Sequence, residues 1–208
     1  GSGKTRVLDK LSRLGHQVID LEGLANHRGS ALGERSEAPQ PSQKRFENLL
    51  WQRLKTFDVE RPVIVESESS RIGKIQIPSA LWKQMGAAPV IELNVSLGKR
   101  AEFLIDNYRY FIEDGDLLRS KLELLRHLHG AKQLEAWQDQ ISRGAWTEFV
   151  ESILAKHYDP AYLRSRKKLY RVPAAKVSSD DISDGGVEAA AREIATAAES
   201  IGANSSPG

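Results

Sequence analysis

The chain opens with Gly1-Ser2-Gly3-Lys4-Thr5. Within this segment, Gly3-Lys4-Thr5 matches the end of the phosphate-binding pattern G-x-x-x-x-G-K-[S/T]. In that pattern, backbone N–H groups surround phosphate oxygens, the lysine reaches the outer phosphates and the hydroxyl ligates Mg²⁺. The first glycine of the pattern would stand three residues before Gly1, so the sequence holds only the second half. An amphipathic helix is predicted from Thr5, and a helix N-terminus attracts anions. We therefore expect residues 1–5 to bind phosphate, with Lys4 as a catalytic cation.

Carboxylates follow two apolar runs that are typical of strands. Glu66 comes directly after Val63-Ile64-Val65, the position of a Walker-B carboxylate that holds Mg²⁺ directly or through water. Asp20 and Glu22 end the run Val18–Leu21, and ligands of open α/β sheets bind outside the carboxyl ends of strands. Acids that simply leave a strand for solvent are the alternative for both positions. The predicted metal ligands are Thr5, Asp20 and Glu66.

Three arginines lie in segments that show neither helical nor strand periodicity. Arg28 and Arg45 belong to polar, cationic stretches, and Arg71 follows the Glu66 strand. A guanidinium group binds phosphate in a bidentate manner, and binding residues are often carried by such loops. Solvated loops are the alternative interpretation. We expect Arg28, Arg45 and Arg71 to act with Lys4 as catalytic residues.

A basic cluster stands near the end of the long helical region. Five cations lie within eight positions, with a tyrosine at each end of the segment: Arg164, Arg166, Lys167, Lys168 and Arg171. Such a cluster is suited to an RNA backbone, and its tyrosines to stacking on unpaired bases. A solvated helix end is the alternative. His127 and His129 predict no metal site, because positions i and i+2 do not share a helix face.

The apolar pattern alternates between helices and strands before it becomes helical throughout. Helices are predicted at residues 5–14, from Pro41-Ser42 onward and at 78–86, with strands at 18–21, 62–65 and 89–95 and an aperiodic loop at 22–40. This order indicates an α/β fold. We predict a P-loop NTPase-like parallel sheet flanked by helices, followed by a helical C-terminal block at about residues 99–171.

Composition limits the organisation of the chain and its chemistry. The 208 residues contain no cysteine, which excludes a disulfide partner, thiolate metal sites and cysteine nucleophiles on this chain. Net charge is +2; residues 172–208 hold two cations and six acids, so the tail carries −4 and residues 1–171 carry +6. A basic body suits a phosphate-rich partner. We expect an N-terminally truncated P-loop domain at 1–171 and an acidic, partly disordered tail at 172–208, with a helix near 187–200.

The sequence also bears on location. No apolar run approaches the roughly 18 residues that a membrane helix needs, and no apolar signal segment follows the first residues. These features predict a protein of the cytoplasm without a membrane partner.

Four segments taken together resemble the C-terminal P-loop domain of bacterial tRNA 2-selenouridine synthases. They are Gly1–Thr5, Asp20–Ser30, Gln40–Leu50 and Val65–Gly73, and the similarity extends over about residues 1–170. The resemblance implies a transferase that replaces the sulfur of 2-thiouridine at the wobble position of tRNA by selenium from selenophosphate. It also implies an S-geranylated intermediate made from geranyl diphosphate, and a rhodanese-like domain with an essential cysteine earlier in the same polypeptide.

A diphosphate leaving group gives the P-loop a chemical task. Lys4, Thr5 and Mg²⁺ are suited to neutralising the pyrophosphate that geranyl diphosphate releases. Selenium transfer is expected only of the longer polypeptide, because the rhodanese-like part and its cysteine lie outside this sequence. Two alternatives stay open: a kinase-like or NTP-hydrolysing domain that binds ATP or GTP, and a noncatalytic RNA-binding module that uses the cluster from Arg164 to Arg171.

Overall fold

The computed structural model describes residues 3–28, 39–66, 69–169 and 172–205, with the backbone alone for 165–169 and 204–205. The described chain divides into two compact units. One, the sheet unit, is formed by Gly3–Asn94 and the residues from Leu169 onward. The other, the helical unit, is Val95–Lys168. No described helix is both long and apolar enough to span a membrane.

The sheet unit contains all the strands of the described residues. In chain order its elements are α1 (Lys4–Arg13), β1 (Gln17–Ile19), α2 (Leu21–Ala25), α3 (Gln43–Leu54), β2 (Val63–Val65), β3 (Arg71–Ile72), β4 (Ile75–Gln76), α4 (Ser79–Ala87), β5 (Ile91–Asn94), β6 (Ala175–Ser178) and α11 (Asp184–Ser205). The helices and strands expected before residue 95 are present. The stretch expected to be an aperiodic loop differs, because it begins with α2, whose N-terminus is capped by the Asp20 side chain.

The helical unit is built from six α-helices and one π-helical segment. They are α5 (Leu97–Asn107), α6 (Arg109–Glu113), α7 (Gly115–Glu123), α8 (Arg126–Ser142), α9 (Trp146–Ile153), the π-helical segment Leu154–Tyr158 and α10 (Asp159–Leu169). Trp137 is fully buried in this unit, and its indole N–H donates to the Ser152 hydroxyl over 3.0 Å. This unit is the helical block that the sequence predicts.

Parallel pairing is confirmed, but the strands form short, separate ladders. β1 pairs with β2 in parallel, and β5 pairs with β6 in parallel. β3 and β4 form an antiparallel hairpin. Among the described residues each ladder has two strands, so the fold is α/β with small parallel sheets rather than one continuous sheet.

Two clusters of buried side chains hold the sheet unit together. Val18 belongs to a cluster with α1 and α11, whereas the next residue, Ile19, belongs to a cluster with Phe46 and Leu50 of α3. Successive residues of a strand point to opposite faces, so β1 separates the two clusters. This packing requires helices on both faces of β1, as expected for buried parallel strands.

The region expected to be a separate acidic tail is integrated into the sheet unit. β6 extends the ladder of β5, and α11 packs on α1 through Val187, Ala191 and Ile194. The helix expected near 187–200 is present but begins at Asp184. The sequence did not predict this packing, because α11 has few large apolar residues. Its many alanines have small side chains, which let two helices approach closely. Residues 206–208 lie outside the described residues.

Candidate functional site

The N-terminus of α1 has the geometry that the phosphate-binding motif predicts. Gly3 adopts left-handed φ/ψ values of 72° and 16° immediately before the helix. Among the residues that the structure describes, no side chain caps α1, and the first turn of this helix carries no acidic residue. The first backbone N–H groups of a helix have no intrahelical acceptor, so an anion can accept from them. Lys4 and Thr5 stand in this first turn; the predicted phosphate-binding residues Gly1 and Ser2 lie outside the described residues.

Two of the predicted metal ligands leave the same edge of the β1–β2 ladder. Ile19 is paired with Val65 in parallel register, so Asp20 and Glu66 follow their strands at neighbouring positions. Glu66 is only 5% exposed. The interpretation of Glu66 as a solvated strand-end acid is therefore wrong.

Each of these carboxylates uses one oxygen to hold α2. The Glu66 carboxylate accepts from the backbone N–H of Glu22 through Oε1, over 2.8 Å. The Asp20 carboxylate accepts from the N–H of Gly23 through Oδ1, over 2.7 Å. These two hydrogen bonds connect the C-terminal ends of β1 and β2 to the first turn of α2.

Chain connectivity places α1 at that same edge. Only residues 14–16 separate α1 from β1, and Leu11 of α1 and Val18 of β1 share a buried cluster. A helix and a strand joined by so short a turn run in opposite directions. The N-terminus of α1 and the C-terminus of β1 therefore lie at one end of the unit, which brings Thr5 to the end where Asp20 and Glu66 emerge.

The donor set at this edge fits Mg²⁺. Magnesium is usually bound by one or two carboxylates together with water and substrate phosphates. Thr5, Asp20 and Glu66 supply a hydroxyl and two carboxylates. Within the described ranges there is no group of three or more His, Asp or Glu residues able to enclose a metal ion by themselves. An ion held here would take its remaining ligands from water and from a bound phosphate.

Two glutamines have structural roles that the sequence analysis missed. The Gln40 amide donates to the carbonyl oxygens of Ile72 (2.9 Å) and Ala25 (3.2 Å), and its oxygen accepts from the N–H of Lys74 (2.7 Å). A side chain at Gly73, whose φ is +57°, would collide with this amide. Gln40 therefore fastens the segment before α3 to both α2 and the β3–β4 hairpin.

The second glutamine, Gln43, lies three residues later at the start of α3 and has a similar role. The Gln43 amide donates to the Gln76 carbonyl over 2.8 Å, and the Gln76 N–H donates back to Gln43 Oε1 over 2.9 Å. The spacing Gln-Pro-Ser-Gln before a helix, with Ser42 accepting from the N–H of Arg45, was the available signal.

The predicted catalytic arginines fall on elements that these glutamines connect. Arg45 is exposed in the first turn of α3, and Arg71 is exposed on β3, where it pairs with Gln76. Gln43 links α3 to Gln76, so these two arginines stand on joined elements. Arg28 is half-buried after α2. Their catalytic role stays a prediction.

The predicted RNA-binding cluster lies on and beyond α10. Arg164 is exposed, as are its neighbours Tyr162 and Leu163. Side chains of Arg166, Lys167 and Lys168, and the whole of Arg171, lie outside the described part of the chain. The start of α10 is held by Arg100, whose guanidinium group binds both oxygens of Asp159, at 2.6 and 3.0 Å.

A histidine pair lies in the helical unit beside that helix. His129 Nε2 is 2.9 Å from His157 Nδ1, so one ring donates to the other. Burial lowers the pKa of His157, and the charges of His129 and Arg164 lower it further. The sequence did not reveal this pair because its members are 28 positions apart and meet only when α8 packs on the π-helical segment.

Comparison with known proteins identifies the family. The family profile described as "tRNA 2-selenouridine synthase AAA domain" matches residues 1–115. The tRNA 2-selenouridine synthase of Alcanivorax borkumensis is 35% identical over 190 residues, which cover 78% of this chain and 51% of that protein. The enzyme of the same name from Shewanella halifaxensis is 33% identical over 190 residues, with the same coverage.

A shorter match has higher identity. The Nitrosomonas europaea tRNA 2-selenouridine synthase is 40% identical over 111 residues, 52% of this chain and 28% of that protein. No solved structure matches the chain significantly. The chain spans about half the length of the first two of these curated relatives. With the family profile covering more than half of its residues, the chain belongs to the tRNA 2-selenouridine synthase family and carries the family's AAA domain.

Proposed function

We propose that this chain is the P-loop part of an enzyme that converts wobble 2-thiouridine of tRNA to 2-selenouridine, and that it binds a diphosphate substrate and tRNA. The observation that carries this proposal is the convergence of the uncapped α1 N-terminus, with Lys4 and Thr5, on the edge where Asp20 and Glu66 emerge. Membership of the family supports the proposed reaction, and a tRNA substrate supports the proposed location in the cytoplasm.

The proposed step at this site is transfer of a geranyl group. The sulfur of 2-thiouridine attacks the carbon that bears the diphosphate, so a C–S bond forms while the C–O bond breaks, and the proton on N3 of the base passes to water. The bonding electron pair leaves with pyrophosphate. Lys4 and the first N–H groups of α1 stabilise that negative charge. Thr5, Asp20 and Glu66 would hold Mg²⁺, which would supply Lewis-acid neutralisation of the same charge.

Selenium insertion needs groups that this chain does not contain. Its sequence has no cysteine, so a cysteine-dependent step must use another part of the polypeptide. We assign that step to an N-terminal rhodanese-like domain, which would occupy part of the length by which the relatives exceed this chain. Selenophosphate is the proposed selenium donor.

Substitution of Lys4 in the full-length enzyme tests the proposal. We expect Lys4→Ala to lower the rate of geranylation of 2-thiouridine tRNA about 10²–10³-fold, the usual effect of removing one preorganised electrostatic group. The rate is followed by mass spectrometry of the digested tRNA. Lys83→Ala, which removes an exposed lysine of α4, is the matched control. Wild-type geranylation by Lys4→Ala would refute this role for the P-loop.

A second candidate function follows from the family description, which names an AAA domain. The uncapped α1 N-terminus suits the phosphates of ATP as well as a diphosphate. Equilibrium competition separates the two: displacement of ATP by geranyl diphosphate favours the transferase, whereas steady ATP turnover without tRNA favours an NTPase. A noncatalytic RNA-binding module would instead lose tRNA binding on charge reversal at Arg164 and keep it in Lys4→Ala.

A further inference from the structure

Trp51 is a large aromatic residue that the fold leaves in solvent. It lies in α3 and is 62% exposed, whereas Phe46 and Leu50 on the same helix are buried. Its partial exposure is not a consequence of a loose helix, since α3 is fastened at its start by Gln43 and further along by Arg53, whose Nε donates to the Val18 carbonyl over 3.1 Å. The fold therefore presents Trp51 on a rigid support.

The face that carries Trp51 also carries two cations. At 3.6 residues per turn, Lys44, Asn48, Trp51 and Lys55 share one side of α3 and its C-terminal cap, opposite the buried Phe46. All four are exposed. We call these four residues the α3 platform. An aromatic ring between lysines one and two turns away is the arrangement that binds single-stranded nucleic acid, with bases on the ring and phosphates on the cations.

Charge pairing distinguishes the α3 platform from α1 and α11. Three cations of α1 and one of α11 are paired with carboxylates: Arg6–Asp184, Lys10–Glu188, Arg13–Asp9 and Arg192–Glu188. Lys44, Arg45 and Lys55 form no ion pair with any residue that the structure describes. The single acid of α3, Glu47, accepts a hydrogen bond from Gln43. The positive charge of the platform is therefore available to a polyanion.

The surroundings of Trp51 favour RNA over a protein partner. Protein interfaces have an apolar core with charged residues depleted from it. Here Trp51 is flanked by lysines and by the amides of Asn48 and Gln52, and Leu54, at 37%, is the only other large apolar side chain of α3 that is exposed by more than a third. Unpaired RNA bases stack on aromatic side chains while cations contact the backbone.

We propose that the α3 platform binds an unpaired nucleotide of the tRNA substrate, with the base stacked on Trp51 and its phosphates near Lys44 and Lys55. This inference rests on the proposed tRNA-modifying function and adds a contact point in the sheet unit to the basic cluster already predicted on α10. Stacking contributes affinity without base specificity, so the platform holds a single-stranded segment rather than selecting its sequence.

Binding of two RNA probes to the full-length enzyme tests the platform. The probes are a tRNA transcript with a wobble uridine and an RNA duplex without unpaired bases. We expect Trp51→Ala to raise Kd for the tRNA roughly 5–150-fold, the range measured for loss of one stacked base. Trp51→Phe, which keeps an aromatic ring, should stay within about threefold of wild type. Kd for the duplex should not change in either variant.

Salt dependence separates stacking from charge. Each phosphate contact to a single strand contributes about 0.7 to the slope of log K against log salt concentration. The double variant Lys44→Gln and Lys55→Gln should reduce that slope by about 1.4, whereas Trp51→Ala should leave it unchanged. Leu128→Ala, which removes a similarly exposed apolar side chain from the helical unit, is the control and should match wild type in both measurements.

Failure of the platform differs from failure of the proposed function. If wild-type enzyme binds and modifies tRNA but Trp51→Ala binds it with wild-type Kd, the platform is refuted while the function stands. If Trp51→Ala changes self-association or a contact to another protein and leaves the tRNA Kd unaltered, the surface is a protein interface and the inference is overturned. If the wild-type enzyme neither binds nor modifies tRNA, the proposed function and the platform both fail.

Discussion

Glu66, at the end of β2, accepts a hydrogen bond of 2.8 Å from the backbone N–H of Glu22 in the first turn of α2. This bond joins two segments that are 44 positions apart and makes a predicted metal ligand part of the framework of the site. If Glu66 both accepts this hydrogen bond and binds Mg²⁺, different substitutions of Glu66 should affect stability and metal binding separately.

Substitution of Glu66 should affect activity more than stability. Glu66→Gln keeps an oxygen that can accept from Glu22 but removes the charge, so the free energy of unfolding should fall by only about 1 kcal/mol. Glu66→Ala leaves the N–H of Glu22 without this acceptor and should cost about 1–3 kcal/mol. Urea unfolding of the full-length enzyme measures both, and Glu60→Gln at an exposed position is the control.

Tight Mg²⁺ binding in the presence of a diphosphate should be lost in Glu66→Gln, because a neutral amide is a poor substitute for a carboxylate ligand. Calorimetric titration with Mg²⁺ and pyrophosphate measures this loss. An enzyme with Glu66→Gln that binds Mg²⁺ like wild type would remove Glu66 from the metal site.

Gln40 should be among the most sensitive polar residues of the sheet unit. Gln40→Ala removes three hydrogen bonds to the backbone of Ala25, Ile72 and Lys74, and should lower the free energy of unfolding by about 1–3 kcal/mol. Gln40→Glu should be worse, since a carboxylate would face two carbonyl oxygens. Gln52→Ala, on the exposed side of α3, should change stability by less than about 0.5 kcal/mol. Equal stability of the Gln40 and Gln52 variants would contradict this assignment.

Packing of α11 on α1 can be tested at a buried alanine. Ala191 has no exposed surface and belongs to the cluster that contains Val7 and Leu11. Ala191→Leu should overpack that cluster and cost about 1–3 kcal/mol of unfolding free energy in thermal or urea denaturation. Glu193→Leu, which adds a leucine to the exposed side of the same helix, is the matched control. A neutral Ala191→Leu would show that α11 is not part of the core.

His157 should make the stability of the helical unit depend on pH. Its pKa lies below the ordinary 6.5 because it is partly buried and because His129 and Arg164 are close. Between 6.5 and that lowered value, the unfolded chain binds a proton that the folded chain does not bind, so stability falls as pH falls. Replacement by the neutral His157→Gln should flatten this dependence, measured as the urea midpoint between pH 7 and pH 5.

NMR titration supplies an independent check of the same group. The imidazole signals of His157 should titrate below the ordinary range in wild type, and the His129→Gln variant should shift that midpoint upward because the neighbouring charge is absent. His127→Gln, which alters a histidine on the same helix as His129, is the control. A wild-type midpoint at or above 6.5 would contradict the proposed effect of burial.

Local pattern was sufficient for much of the sheet unit. The spacing of Val7, Leu8 and Leu11 specified α1, and the continuous apolar run at 63–65 specified the strand β2, because these patterns depend only on near neighbours in the chain. The burial on both faces that such a run favours is not found, since Val63 is 39% exposed. The prediction of a helix from Thr5, directly after the Gly3-Lys4 pair, is confirmed by α1, which begins at Lys4. The packing of α11 on α1 could not be predicted from the sequence. A helix rich in alanine and acidic residues has the composition of a solvated tail, and only the tertiary structure shows that its alanines contact α1.

The sequence by itself therefore determined the residue types of the site, the helices and strands that carry them, and the family. Tertiary structure decided which of these residues meet. The parallel register of β1 and β2 brought Asp20 and Glu66 to one edge. Gln40 and Gln43, in a segment expected to bind phosphate, form hydrogen bonds to the β3–β4 hairpin. The packing of α3 left Trp51 exposed to solvent between two lysines. Each of these outcomes depends on contacts between segments far apart in the chain, and only packing and hydrogen bonding in three dimensions determine them.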